Sequence, residues 1–147
     1  FPDPPVGTAK ALLDSTGSGT FSFTGIINNT LYHIKVNHRN SIETWSNTEQ
    51  VFTNSSMVYD FTTASAKAFG NNMIQVDASP VRFPFYGGDV NQDGTVDATD
   101  VSLVDNDAAN YESGYVVTDL TGENYVEGTD FAIADNNAAN FVSAIWP

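Results

Sequence analysis

The chain has 147 residues, no Cys, five Lys and Arg against 18 Asp and Glu, and a net charge of −13. That length suits one compact domain, or one with a small appendage, and is enough for a real core. A disulfide framework and a thiolate zinc site are excluded, no run of apolar residues is long enough to span a membrane, and nucleic acid is disfavoured electrostatically.

The charge is unevenly placed. Residues 1–88 hold all five cations (Lys10, Lys35, Arg39, Lys67, Arg82) and six acids, whereas residues 89–147 hold twelve acids and no Lys or Arg. A composition shift of this kind places a module boundary near Gly88. Phe1 in place of Met, with no visible signal peptide, fits a mature product whose targeting segment has been removed. The acidic, Asn-, Ser-, Thr- and Gly-rich composition suits an extracellular or cell-surface setting.

"FPDPPVGT" (1–8) is too rich in Pro for a helix and reads as an extended arm. Short β-like runs follow between turn residues over 9–88. "TAKALLD" is a candidate first strand, and "TFSFTGI" alternates Phe21 and Phe23 with small polar residues. "LYHIKVNH" sets Tyr32, Ile34 and Val36 on one face and His33 and Lys35 on the other. "SIETWS", "QVFT", "SMVYDFT", "NMIQVD" and "SPVRFPFY" continue the pattern. Six to eight such strands predict a mainly β fold, an antiparallel β-sandwich over 9–88.

"DSTGSGTFSFTGIINNTLYHIKV" resembles the turn-strand-turn-strand core of prealbumin-like domains, the carboxypeptidase-regulatory-like and Cna-B-like modules of surface proteins. The resemblance implies a structural stalk or spacer. In "HRNSIETWS", His38, Arg39 and Glu43 are weighed as an acid–base group, and His33 with His38 as metal ligands. No third ligand at zinc-like spacing, phosphate loop or nucleophile elbow accompanies them. The chain is therefore read as non-enzymatic, with Trp45 as a packing residue.

Residues 89–113, "DVNQDGTVDATDVSLVDNDAANYES", align without gaps to residues 119–143, "DLTGENYVEGTDFAIADNNAANFVS". A thirty-residue period with this many identities is a duplication. In the first copy Asp89, Asn91 and Asp93 stand at positions 1, 3 and 5 of a calcium loop. Gly94 at 6 permits the turn, Thr95 at 7 offers its carbonyl, and Asp97 at 9 and Asp100 at 12 complete the oxygen shell. The spacing follows from the ion, because a hard cation takes six to eight oxygens and alternate positions of a tight loop point inward together. In the second copy Asp119, Thr121, Glu123, Tyr125 (carbonyl), Glu127 and Asp130 fill positions 1, 3, 5, 7, 9 and 12, with Asn124 at the turn. Two Ca2+ sites are expected, the second weaker because Thr121 is neutral and Glu123 is long for its place.

After each loop, "TDVSLVDNDAANY" and "TDFAIADNNAANF" carry apolar residues at helical spacing: Val101, Val104 and Ala108, then Phe131, Ala134 and Ala138. A loop followed by one helix, twice over, resembles the dockerin module and implies a calcium-dependent plug for a cohesin-type receptor. The thirty-residue period and the polar helices without basic residues depart from dockerins. As a whole, the chain resembles the C-terminal sandwich-plus-dockerin-like region of secreted Bacteroidota and Ignavibacteria-type surface proteins. "HRNSIETWS", "YDFTTASAKAFGNNMIQVD" and "GDVNQDGTVDATD" carry that resemblance.

The functional expectation is a structural subunit of an extracellular bacterial assembly, a filament built by head-to-tail self-association and stabilised by calcium. The arm at 1–8 would donate a strand to a neighbour. The alternatives are a receptor-binding dockerin-like module and, third, a carbohydrate-binding domain using Trp45 and Trp146. Asn28-Asn29-Thr30 and Asn54-Ser55-Ser56 fit N-glycosylation acceptors, and Asp14-Ser15-Thr16 fits an O-glycosylation motif.

Overall fold

The computed structural model describes residues 4–147, so the first three residues of the expected arm lie outside the described residues. Order is concentrated in residues 89–147. Helix α1 spans Ala98–Asn110 and α2 spans Gly128–Ala139, each following one acidic loop. Both begin in the same way, with a carboxylate at the N-cap and another three residues on. Asp97 accepts from the Thr99 N–H while Asp100 reaches back to the Asp97 N–H, and Glu127 and Asp130 repeat the arrangement. Two orphan helix donors are thereby satisfied by acids at the positive end of the macrodipole. Tyr111 closes α1 with a left-handed backbone, φ 53°, and its repeat mate Phe141 has φ 54°.

The two copies interlock crosswise. Val96 N–H, from the first loop, donates to Val142 O beyond α2, and Val126 N–H, from the second loop, donates to Glu112 O beyond α1. Thr95 bridges Ser143 and Tyr125 bridges Ser113 in the same sense. Neither copy can close its apolar face alone. Val104 and Ala134, equivalent across the duplication, are fully buried against Val90 and Val126, with Val101, Leu120 and Phe131 around them. Burying a Val side chain is worth about 1.5–3 kcal/mol, so this shared seam holds the pair together.

The β-sandwich expected over 9–88 is not present. The strands are two residues long: Leu31–Tyr32 (β1), Lys35–Val36 (β2), Thr44–Trp45 (β3), Gln50–Val51 (β4), Asp77–Ala78 (β5) and Val81–Arg82 (β6). They pair as three separate antiparallel ladders, β1 with β4, β2 with β3 and β5 with β6. "LYHIKV" is not one strand: Leu31 faces Val51, whereas Lys35 faces Trp45. Two 3₁₀ turns, Ser65–Lys67 and Phe69–Asn71, stand between β4 and β5. Residues 4–30 contain no strand, although a turn forms at Asp14–Ser18.

The reason lies in what covers the apolar residues. Alternation tells which side chains share a face, but a strand is stabilised by the neighbours that pack on that face. Among the described residues, three buried apolar side chains, Ile42, Ala68 and Met73, precede residue 89, against seven after it. Leu12, Val58 and Ile27 are largely exposed, and Phe21 and Phe23 are partly so. Two-stranded ladders without a facing layer gain too little to lengthen. Small aromatic groups form instead, with Phe52 edge-on to Phe23 and Tyr32, and Phe61 between Tyr59 and Phe85.

One strip of the first half, residues 40–46, is mostly buried, and it is held by the junction at 86–88 and by the second half. Gly88 N–H donates to Asn40 O at 2.7 Å, Ile42 N–H to Tyr86 O at 3.0 Å, and Ile42 packs with Val96 and Val142. Glu43 accepts from the Trp45 indole at 2.9 Å, from Lys35 at 3.1 Å and from the Trp146 indole near the C-terminus. Gly88 has φ 113°, and a Cβ there would stand 2.9 Å from Val96 Cγ1, so the junction between the halves requires glycine.

Candidate metal centre

Each acidic loop is organised by its first and last carboxylates. In the first, buried Asp89 accepts the N–H groups of Asp93 at 3.1 Å and Gly94 at 3.1 Å. Buried Asp100 accepts those of Val90 at 2.9 Å, Asn91 at 3.1 Å and Asp97 at 3.0 Å. The chain winds tightly enough for this because Gln92 and Gly94 adopt left-handed backbones, φ 61° and 91°. The second loop repeats the wiring. Asp119 accepts from Gly122, Glu123 and Asn124, and Asp130 accepts from Leu120, Thr121 and Glu127. Gly122 and Asn124 supply the left-handed residues, φ 82° and 77°. Asn124 takes the place of the usual Gly because Asn tolerates this region better than most side chains.

Carboxylate oxygens of Asp89, Asp93 and Asp100 lie within 4.8 Å of one another, as do those of Glu123, Glu127 and Asp130. Both groups could hold a metal ion. The remaining expected ligands are placed as follows. Asn91 donates its amide to Asp93 Oδ2 at 2.9 Å and accepts the Asp93 N–H at 2.9 Å, beside the first group. Asp97 is engaged as the cap of α1 and stands outside that group. Thr121 Oγ1 lies 3.1 Å from Asp130 Oδ1 and 3.4 Å from Asp119 Oδ1, within the second loop. Asp119 is not among the three acids gathered there, and Glu127 both caps α2 and joins them. Thr95 and Tyr125 at position 7 sit at the crosswise bridges.

The electrostatics match the geometry. Burial pushes the Asp89 carboxyl above the usual range; the Gly94 N–H opposes this, and the Asp100 and Asp93 charges add to it. The Tyr125 phenol is raised chiefly by the charge of Glu123. Like charges held a few ångströms apart repel, and a divalent cation among them converts that repulsion into attraction. All-oxygen, carboxylate-rich donors of this kind suit hard cations such as Ca2+ and Mg2+ and disfavour soft metals.

Of the acid–base group weighed in "HRNSIETWS", Glu43 is engaged by Trp45, Lys35 and Trp146, Arg39 donates to carbonyls at the second loop, and His38 stands beside Arg39 and Asn40. His33, weighed with His38 as a metal ligand, has its Nδ1 3.0 Å from Ser46 O. Sequence reasoning did not find the outer partners of the loops. Arg39 and Asn40 reach Asp119 O from some eighty residues away, and Gln92 joins Asp89 O to Ser41 O. No local pattern signals contacts of that separation.

A scan against protein-family models finds no match, and searches of curated proteins and of solved structures find none either. The residues themselves therefore carry the functional reading.

Proposed function

We propose that this chain is a structural subunit of an extracellular assembly, in which Ca2+ in the two loops organises residues 89–147 and neighbouring copies complete residues 4–30. The observation that carries the reading is the contrast between the halves. Residues 89–147 interlock their two copies and bury a shared seam, whereas residues 4–30 form no strand and leave Val6, Leu12, Leu13 and Ile27 more than half exposed. Unpaired extended backbone with an apolar face is a template for strand addition from another chain. Repeated head to tail, such a contact builds an open fibre. Calcium is the cation proposed because extracellular modules hold it at about 10⁻⁴–10⁻³ M affinity, suited to its supply outside cells.

The test is electron microscopy and sedimentation of the full chain in millimolar calcium, in chelator, and after deletion of residues 1–8. Fibres in calcium that are lost on deletion and weakened by chelation are expected. A chain that stays monomeric over a wide concentration range, with and without calcium, would refute the reading.

A second reading, a calcium-dependent plug for a receptor domain, is favoured by one feature. Tyr111 and Phe141, equivalent across the duplication, are 81% and 86% exposed at the ends of the two helices. Exposed aromatic side chains on an acidic module are the kind of group that anchors a partner. Chelator-sensitive capture by a cohesin-type domain, abolished by Tyr111→Ala with Phe141→Ala, would support it over self-assembly.

A further inference from the structure

The strip Arg39–Ser41 touches both acidic loops, but with different chemistry at each. At the first loop, Gln92 Nε2 donates to Asp89 O at 2.6 Å and to Ser41 O at 3.2 Å, so a neutral amide caps the first acid's carbonyl. At the second loop the same job falls to Asn40 and to a fixed cation. Asn40 Nδ2 donates to Asp119 O at 2.9 Å, and Arg39 Nη2 donates to the same carbonyl at 3.2 Å. Nη2 lies 4.0 Å from Asp119 Oδ2, and Nη1 donates to Val116 O. The guanidinium also lies over the Tyr115 ring, 4.1 Å from its centre, and the Arg39 side chain is only 17% exposed. Among the described residues this is the one ion pair that reaches either loop.

We propose that Arg39 is a resident counter-charge that makes the second loop the weaker cation site and keeps it docked to the N-terminal half when no ion is bound. The proposal rests on the reading of both loops as Ca2+ sites. Each loop carries four carboxylates, Asp89, Asp93, Asp97 and Asp100 against Asp119, Glu123, Glu127 and Asp130, so charge count alone would load them equally. A guanidinium never deprotonates and here cannot swing away, because a carbonyl fork and an aromatic face hold it. In a partly buried setting its field is weakly screened. It offsets carboxylate repulsion while the ion is absent and repels the ion as it arrives. The two sites are thereby separated in affinity: the first fills at low calcium, and the second fills only when calcium is high. Arg39 is a positioning residue in this scheme, not a ligand.

The experiment is calorimetric titration of the full chain with calcium. Asp100→Asn and Asp130→Asn assign the steps, and circular dichroism checks folding. The parent is expected to show two steps, with Asp130→Asn removing the weaker. Arg39→Gln should tighten that weaker step at least fivefold and leave the other within twofold, whereas Arg39→Lys, which keeps the charge, should stay near the parent. Gln92→Lys, which brings the same charge to the first loop, should weaken the tighter step at least fivefold. If Arg39 only scaffolds the loop, Arg39→Gln and Arg39→Lys would both weaken the second step, and the proposal fails. An unchanged second step in Arg39→Gln, or loss of the tighter step in Asp130→Asn, overturns the proposal while leaving the calcium reading intact. No calcium binding by the parent overturns both.

Discussion

Replacing Asp100 by Asn separates two roles that one carboxylate performs. Asp100 is fully buried and accepts three backbone N–H groups, from Val90 and Asn91 at Oδ1 and from Asp97 at Oδ2. Asn keeps the shape but turns one acceptor into a donor, which then faces an N–H. Losing one or two hydrogen bonds to a charged acceptor costs about 1.5–3 kcal/mol each, so a penalty of roughly 1.5–6 kcal/mol is expected in chelator. Part of it is returned, because Asp100 no longer repels Asp89 and Asp93 a few ångströms away. In calcium the parent gains a further term that the variant lacks. At 10 to 100 times the dissociation constant, that term is about 1.4–2.7 kcal/mol. The variant's deficit should therefore be larger in calcium than in chelator by about that amount. Urea unfolding at fixed protein concentration, in both media, measures the difference. Equal deficits would show that Asp100 serves only the backbone, and the cation reading of the first loop would be lost.

Two other predictions concern the junction of the halves. Burial raises the Glu43 carboxyl, but hydrogen bonds from Trp45, Lys35 and Trp146, with the Lys35 charge, outweigh it and hold the group below its usual value. A carboxylate depressed by folding contributes stability above its unfolded value, and that contribution is lost as pH falls through the folded one. Acidification below about pH 4.5 should release Trp146 and change tryptophan emission, and Glu43→Gln should abolish that transition; an unchanged acid transition in the variant would refute this role of Glu43. Gly88→Ala places a methyl against Val96 and against the backbone of Ala134 at a φ of 113°. It should cost more than about 1 kcal/mol in urea unfolding, and a neutral result would show that the junction yields.

How much could be read in advance depends on the range of the interactions involved. The α1 and α2 helices stand where apolar spacing puts them, and the loops that precede them wind around acids at positions 1 and 12, because capping, left-handed turn residues and i to i+4 contacts are all local. The duplication also makes Val104 equivalent to Ala134 and Asp100 to Asp130. Over residues 9–88 the same reasoning failed. Phe21 and Phe23 have the alternation of strands, yet both stay partly exposed and Leu12 and Ile27 largely so, because among the described residues no second sheet covers them.

Residue order alone thus established a twice-built, carboxylate-lined loop and helix, since the hydrogen bonds from its acids and caps join residues within about a dozen positions. Folding in space added the crosswise pairing of Val96 with Val142 and Val126 with Glu112, the burial of Ile42, and the approach of Arg39 to Asp119. Those contacts join residues far apart in the chain, and their worth depends on solvent exclusion, which no spacing rule expresses.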